Sequence, residues 1–199
     1  MGLAPEDLER ELFKILDALS AADMEHFLTG AQVRNLFGEP RTSGDFDVVV
    51  LLRGRTREAV RGLFESHGYR VEGPLKGDLG ERLVLELPQF EADIWLAPDT
   101  EFHRAEFGNA IRVPYGDREL PVMAPGDFVL RKLVNYYRIR GKSHDLEDAF
   151  QVLLHAWDRI DVEALPKRAE VYRIRKQAEA LIDKTRRERS RYSTAALIR

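Results

Sequence analysis

Five consecutive apolar residues, Val48 to Leu52, follow directly on Asp45-Phe46-Asp47. A run that short, β-branched and unbroken is a strand buried on both faces, and such strands need helices or loops packed on each side. Phe46 to Leu52 is therefore expected to form a central strand. The two aspartates add a second constraint. Residues i and i+2 of a strand project to the same side, so Asp45 and Asp47 hold their carboxylates together at the mouth of the strand. Like charges that close raise one another's pKa unless something positive lies between them.

The flanking sequence supports an α/β (α+β) architecture. Pro5 opens a first helix whose stripe is Leu8, Leu12, Ile15, Leu16 and Leu19. A short strand over 25–30 ends in Gly30, and a short helix follows, closed by Gly38. Thr56 to Gly68 reads as a helix with Thr56 as N-cap, followed by a short strand over 69–73. Residues 81–98 read as two strands turning near Pro88-Gln89, with Leu83, Leu85 and Leu87 alternating on one arm and Ala92, Ile94 and Leu96 on the other. A smaller hairpin turns at Tyr115-Gly116-Asp117. From Pro125 the pattern is helical: one helix over 125–140, one over 143–157, and one long basic helix over 162–189, with 193–199 as a frayed end. The expectation is a small, mixed, twisted sheet flanked by helices in 1–124, then a C-terminal helical region in 125–199.

Composition narrows the class. With 44% hydrophobic and 33% charged residues the chain is globular, and its net charge of −3 argues for no partner. The charge is unevenly spread. Residues 1–31 carry seven acids against two bases, and 166–199 carry eleven bases against four acids. A basic tail can meet nucleic acid, although a solvated helix face is the plainer meaning. There is no cysteine, which excludes a disulfide framework and thiolate metal sites. No apolar run approaches the roughly 20 residues of a membrane span. A cytoplasmic protein without a membrane partner is expected.

A divalent cation is the natural occupant between paired carboxylates. Mg²⁺ is held through one or two carboxylates, with substrate phosphates completing its shell. Asp93, on the second arm of 81–98, is a candidate third carboxylate. Taken alone, an acid on a hairpin strand belongs on the solvent face. Three carboxylates together match two-metal phosphoryl or nucleotidyl transfer. Gly30, where strand meets helix, would let a phosphate approach the backbone. Arg41 and Ser43 offer a guanidinium and a hydroxyl to phosphate oxygens. Gly141-Lys142-Ser143 is only the tail of a P-loop, because Tyr136 stands where its first glycine belongs. The five histidines show no metal-binding spacing.

The stretch from Phe27 to Val50, "FLTGAQVRNLFGEPRTSGDFDVVV", resembles the signature of the DNA polymerase β-like nucleotidyltransferase superfamily. Its finer pattern, with Gly38, Arg41 and Ser43, is similar to bacterial nucleotidyltransferases of the abortive-infection toxin type. The resemblance covers Phe27 to about Leu96, and more weakly Pro125 to Leu154. It implies the nucleotidyltransferase fold and transfer of an NMP from an NTP to an acceptor hydroxyl. It implies two Mg²⁺ ions, or Mn²⁺, on Asp45, Asp47 and Asp93. It also implies NTP contacts at Gly30, Ala31, Arg41, Ser43, Lys132, Arg138 or Arg140, and Asp145. Snorkelling from an amphipathic helix is the plain alternative for Lys132, and helix-start electrostatics, with Ser143 as the cap, for Asp145. The acceptor would be RNA or tRNA, met by the basic C-terminal helix, in a toxin-like role with an antitoxin partner. An aminoglycoside-type small molecule is the second acceptor. Ala31 departs from the pattern: a serine there would offer its hydroxyl to the triphosphate. That leaves open a non-catalytic nucleotide- or partner-binding member of the fold.

Overall fold

The computed structural model describes residues 5–43, 45–77, 80–87, 91–139 and 143–197. The turn expected at Pro88-Gln89, the candidate Arg140 and the Gly141-Lys142 pair lie outside these residues. The chain divides into two compact units, one of residues 1–32 and 42–123, the other of residues 33–41 and 124–199.

The first unit is built on a seven-stranded mixed sheet. In chain order its strands are β1 (His26–Leu28), β2 (Asp45–Leu51), β3 (Arg70–Gly77), β4 (Gly80–Glu86), β5 (Glu91–Ala97), β6 (Ile111–Tyr115) and β7 (Arg118–Val122). They lie in the order β3-β4-β5-β2-β1-β7-β6. Pairs β2–β5 and β1–β7 are parallel and the other ladders antiparallel. The apolar residues Val48 to Leu51 thus lie in the central strand, β2. Val48, Val50 and Leu51 are fully buried and Val49 nearly so. Each such side chain contributes about 1.5–3 kcal/mol of transfer free energy.

Helices α1 (Pro5–Ala21), α3 (Arg57–Ser66) and α4 (Glu101–Asn109) belong to this unit. The stripe of α1 is buried through Leu12, Ile15, Leu16 and Leu19. Thr56 caps α3 by accepting from the Ala59 N–H at 3.2 Å. Helix α4 has no counterpart in the sequence reading. Its residues show no apolar stripe, and its start is marked only by Thr100, which accepts from the His103 N–H. Phe107 of α4 packs against Phe27 of β1, with ring centres 4.4 Å apart and planes tilted by 44°.

Helix α2 (Gly30–Phe37) begins in the first unit, and the division falls within it. The second unit is helical: α5 (Pro125–Arg138), α6 (Ser143–His155), a 3-10 turn (Trp157–Arg159), α7 (Leu165–Glu170) and α8 (Arg175–Leu197). The single helix expected over 162–189 is two helices. Arg173 adopts a left-handed φ of 57° between them. The turn leaves Val171 82% exposed and buries Ile174 to 1%, a trade that a straight helix through 171–174 would not make. The end expected to fray, 193–197, continues α8. Among the described residues no helix is long and apolar enough to cross a membrane.

Candidate active site

The site grows from the first three residues of β2. Asp45, Phe46 and Asp47 alternate half-buried, buried and half-buried, so both carboxylates leave the same face. Strand β5 runs parallel beside β2 with Asp47 opposite Asp93 and Asp45 opposite Glu91. Register partners share a face, so the third carboxylate stands next to the pair. Asp93 is 3% exposed. The solvent-face alternative therefore does not describe it: β5 is buried from Ala92 to Ala97, not alternating.

Gly30 has a use that the sequence reading did not assign. It opens α2 with φ 62°, and a Cβ built on it would collide with Asp47 Oδ2. The missing side chain makes room for the Asp47 carboxylate at the positive end of a helix. Ala31 follows with its methyl group 1% exposed.

Each aspartate has a different companion. Ser43 Oγ donates to Asp45 Oδ1 at 2.5 Å. The Trp95 indole donates to Asp47 Oδ1 at 2.9 Å. Asp93 forms an ion pair with Arg82 of β4 through Oδ2, while its Oδ1 is buried with no hydrogen-bond partner. Arg82 also lies 5.4 Å over the Trp95 ring. The Trp95 and Arg82 contributions escaped the sequence reading. Trp95 is two residues from Asp93 and so shares its face, which was the available signal.

These donors fit a hard divalent cation in kind: carboxylate oxygens on neighbouring strands, one of them buried and unpartnered. Among the described residues no three His, Asp or Glu side chains are gathered into a metal cage. The set suits an ion held by the Asp45–Asp47 pair and completed by phosphate oxygens, with Asp93 held by Arg82 on the adjacent strand.

The same face is acidic beyond the three aspartates. Two cross-strand rows run toward β3: Asp45, Glu91, Glu86 and Arg70, then Asp47, Asp93, Val84 and Glu72. Arg70 pairs with Glu86 at 3.2 Å and Glu72 at 3.6 Å. The neighbouring Glu72 carboxyl, with some desolvation, pushes Glu86 above the usual carboxylate range.

The second unit holds a separate cluster of charge. Asp148 of α6 is fully buried and faces three cations. Arg34 Nη1 donates to its Oδ1 at 2.5 Å, and Lys132 Nζ lies 3.0 Å from its Oδ2. Arg41 is held more loosely, Nη2 donating to Oδ2 at 3.5 Å. Arg41 Nε lies 3.4 Å from Oδ1 but makes no hydrogen bond. Lys132 also donates to Asp145 at 2.7 Å. Burial pushes the Asp148 carboxyl up, and Lys132, Arg34 and Arg41 together more than offset it, leaving it below the ordinary range. Asn35 fixes the backbone of Arg41 from both sides, its Oδ1 accepting from the Arg41 N–H at 2.8 Å and its Nδ2 donating to the carbonyl at 3.1 Å. Of the expected phosphate contacts, Arg41, Lys132 and Asp145 meet in this cluster, and Arg138 is exposed at the end of α5. Asp148, Arg34 and Asn35 were not foreseen. The spacing of Asp145 and Asp148, three residues apart on one helix face, was the signal for the first.

No family model and no curated protein matches the chain. Solved structures do. The crystal structure of ANT(2'')-Ia in complex with adenylyl-2''-tobramycin is 16% identical, with a TM-score of 0.57 over 84% of this chain and 97% of that one. An antigenic nucleotidyltransferase-like protein from Paracoccidioides brasiliensis is 12% identical, with a TM-score of 0.55 over 91% and 94%. Lincosamide antibiotic adenylyltransferase LnuA, lincomycin-bound, is 17% identical, with a TM-score of 0.50 over 72% and 95%. The chain has the fold of nucleotidyltransferases.

Proposed function

We propose that this protein is a metal-dependent nucleotidyltransferase, moving an NMP from an NTP to an acceptor hydroxyl. One observation carries the reading: Asp93 stands in register with Asp47, two residues from Asp45 on the same face, and Gly30 vacates the space that Asp47 fills. Asp45 and Asp47 would hold Mg²⁺ or Mn²⁺, and Asp93 would serve a second ion. A metal held there would supply charge neutralisation for the α-phosphate and the leaving pyrophosphate. Asp93, through its unpartnered Oδ1, accepts the proton of the acceptor hydroxyl. The acceptor oxygen bonds to the α-phosphorus, the bond to the β-phosphate breaks, and pyrophosphate leaves. Ser43 orients Asp45, and Trp95 orients Asp47. Gly30, the backbone of Ala31 and Arg41 serve the NTP, the Lys132–Asp145 pair supports Arg41 from within the Asp148 cluster, and Arg138 makes outer contacts.

RNA or tRNA as acceptor, with a toxin-like role and an antitoxin partner, is the reading that the family resemblance and the basic tail suggest. A small cationic acceptor is the second reading, and two observations favour it. The acidic rows beside Asp45 and Asp47 repel a polyanion and attract amines. Several cations of α8 are also engaged within their own unit: Arg186 with Glu163, Arg189 with Asp158, and Lys184 over the Phe150 ring at 4.0 Å.

The test is titration calorimetry with each of the four NTPs, with and without Mg²⁺, on the wild type and Asp45→Asn. Metal-dependent binding that disappears in the variant is expected. NTP binding indifferent to both metal and substitution would leave a non-catalytic binding module. For the acceptor, RNA affinity should fall steeply with ionic strength if RNA is the substrate.

A further inference from the structure

The cluster around Asp148 is not symmetric, and its asymmetry divides labour among the cations. Lys132 is 13% exposed and sits between two carboxylates, Asp145 at 2.7 Å and Asp148 at 3.0 Å. Arg34 is 10% exposed, bonded to Asp148 and, through Nε, to the Glu39 carbonyl at 3.0 Å. Both are anchored. Arg41 is 34% exposed, its bond to Asp148 is the longest of the set, and its buried Nε donates to nothing. Three cations face two carboxylates, so one positive charge is in surplus. The two short-bonded cations neutralise Asp145 and Asp148, and the surplus falls on the cation held least.

We infer that Asp148 is a positioning residue for phosphate binding: anchored on Arg34 and Lys132, it aims Arg41, and Arg41 alone among the three carries the surplus charge to the NTP phosphates. Lys132 then acts through Asp148 and not on the nucleotide, which departs from the role that the family resemblance implies for it. The long bond suits this task. A guanidinium held at 3.4–3.5 Å keeps its direction yet can form shorter, charge-assisted bonds when a phosphate arrives. Asn35 adds the second restraint by fixing the Arg41 main chain, so the side chain pivots from a set point. The inference rests on the nucleotidyltransferase reading, since it presumes a phosphate ligand.

The experiment is calorimetric titration of the full chain with inorganic tripolyphosphate and Mg²⁺, well below the melting temperature, on wild type, Arg41→Gln, Lys132→Gln and Asp148→Asn. Each variant's fold is first checked by circular dichroism. Arg41→Gln should weaken binding about tenfold or more while the melting temperature holds. Lys132→Gln should lower the melting temperature and change affinity no more than about threefold. Asp148→Asn gives the decisive sign. It makes the cluster more positive, so charge alone predicts tighter binding, whereas loss of aim predicts binding weaker by about tenfold. Tighter binding by Asp148→Asn, or full affinity in Arg41→Gln, overturns the inference. If Asp148→Asn does not fold, the Arg41→Gln and Lys132→Gln pair still decides it. A wild type that binds no tripolyphosphate overturns this inference together with the NTP reading, whereas binding that Arg41→Gln leaves intact overturns this inference alone.

Discussion

Two buried aspartates, one in each unit, have opposite surroundings. Asp148 is 0% exposed and meets three cations, so its charge is more than balanced and its carboxyl is held below the ordinary range. Asp93 is 3% exposed and meets one, Arg82, with Oδ1 left without a partner and Asp47 opposite it in register. Burying a carboxylate costs several kcal/mol unless partners make good the lost water. At Asp148 the protein supplies every partner. At Asp93 it leaves one oxygen waiting beside other carboxylates, an arrangement that favours the arrival of a cation. The first is complete in itself, and the second, under the proposed reading, is where a metal ion would sit.

The comparison breaks first on stability. Asp148→Asn leaves Arg34 without its counter-charge and Lys132 with Asp145 alone, in a dry setting, and should cost about 3 kcal/mol. Asp93→Asn should cost about 1 kcal/mol or less, because Arg82 can turn to water and repulsion from Asp47 is relieved. Urea denaturation of both variants measures the gap. Equal losses would mean that Asp93 is as fully integrated as Asp148, and that the unpartnered oxygen signifies nothing.

How much of this was legible beforehand follows the same division. The apolar run of β2, the stripe of α1, the Thr56 cap and the small hairpin were visible because they are local patterns. Helix α4 was not, since its residues carry no stripe, and the break at Arg173 was not, since it is set by the burial of Ile174. At the site, Asp45 and Asp47 were readable from spacing alone. That Asp93 stands beside them is a register fact, and no local pattern encodes register between strands separated by forty-odd residues of sequence. Arg82 and Asp148 were harder still: an arginine in a strand and a second aspartate on a helix look like surface charge until the tertiary fold brings their partners.

Acidity offers a subtler separation. The folded pKa of Asp148 is depressed, so its contribution to stability is complete above about pH 4 and is lost as pH falls through the lower folded value. His26 works in another window. Burial lowers its pKa, against the opposing pull of the Met24 carbonyl, so the unfolded chain takes up a proton first as pH drops below about 6.5. Melting temperature against pH should therefore fall in two steps. In Asp148→Asn the lower step should flatten and the upper one remain. A lower step unchanged by the substitution would show that the depressed Asp148 carboxyl is not what acid attacks.

The smallest effect probes Asp93 from its partner's side. Arg82 is 30% exposed along its side chain and occupies Asp93 Oδ2. If Asp93 serves a metal ion, Arg82 competes for the same carboxylate, because a guanidinium and Mg²⁺ cannot both be fully satisfied by it. Arg82→Gln should then tighten the apparent Mg²⁺ affinity in the presence of ATP about three-fold, well under the tenfold that 1.4 kcal/mol represents. Stability should drop by less than about 1 kcal/mol, as for other partly exposed pairs. Magnesium titration followed by calorimetry gives the answer. A weaker or unchanged affinity would place Asp93 outside the metal site, leaving Asp45 and Asp47 to hold a single ion and Arg82 as the permanent counter-charge of the third carboxylate.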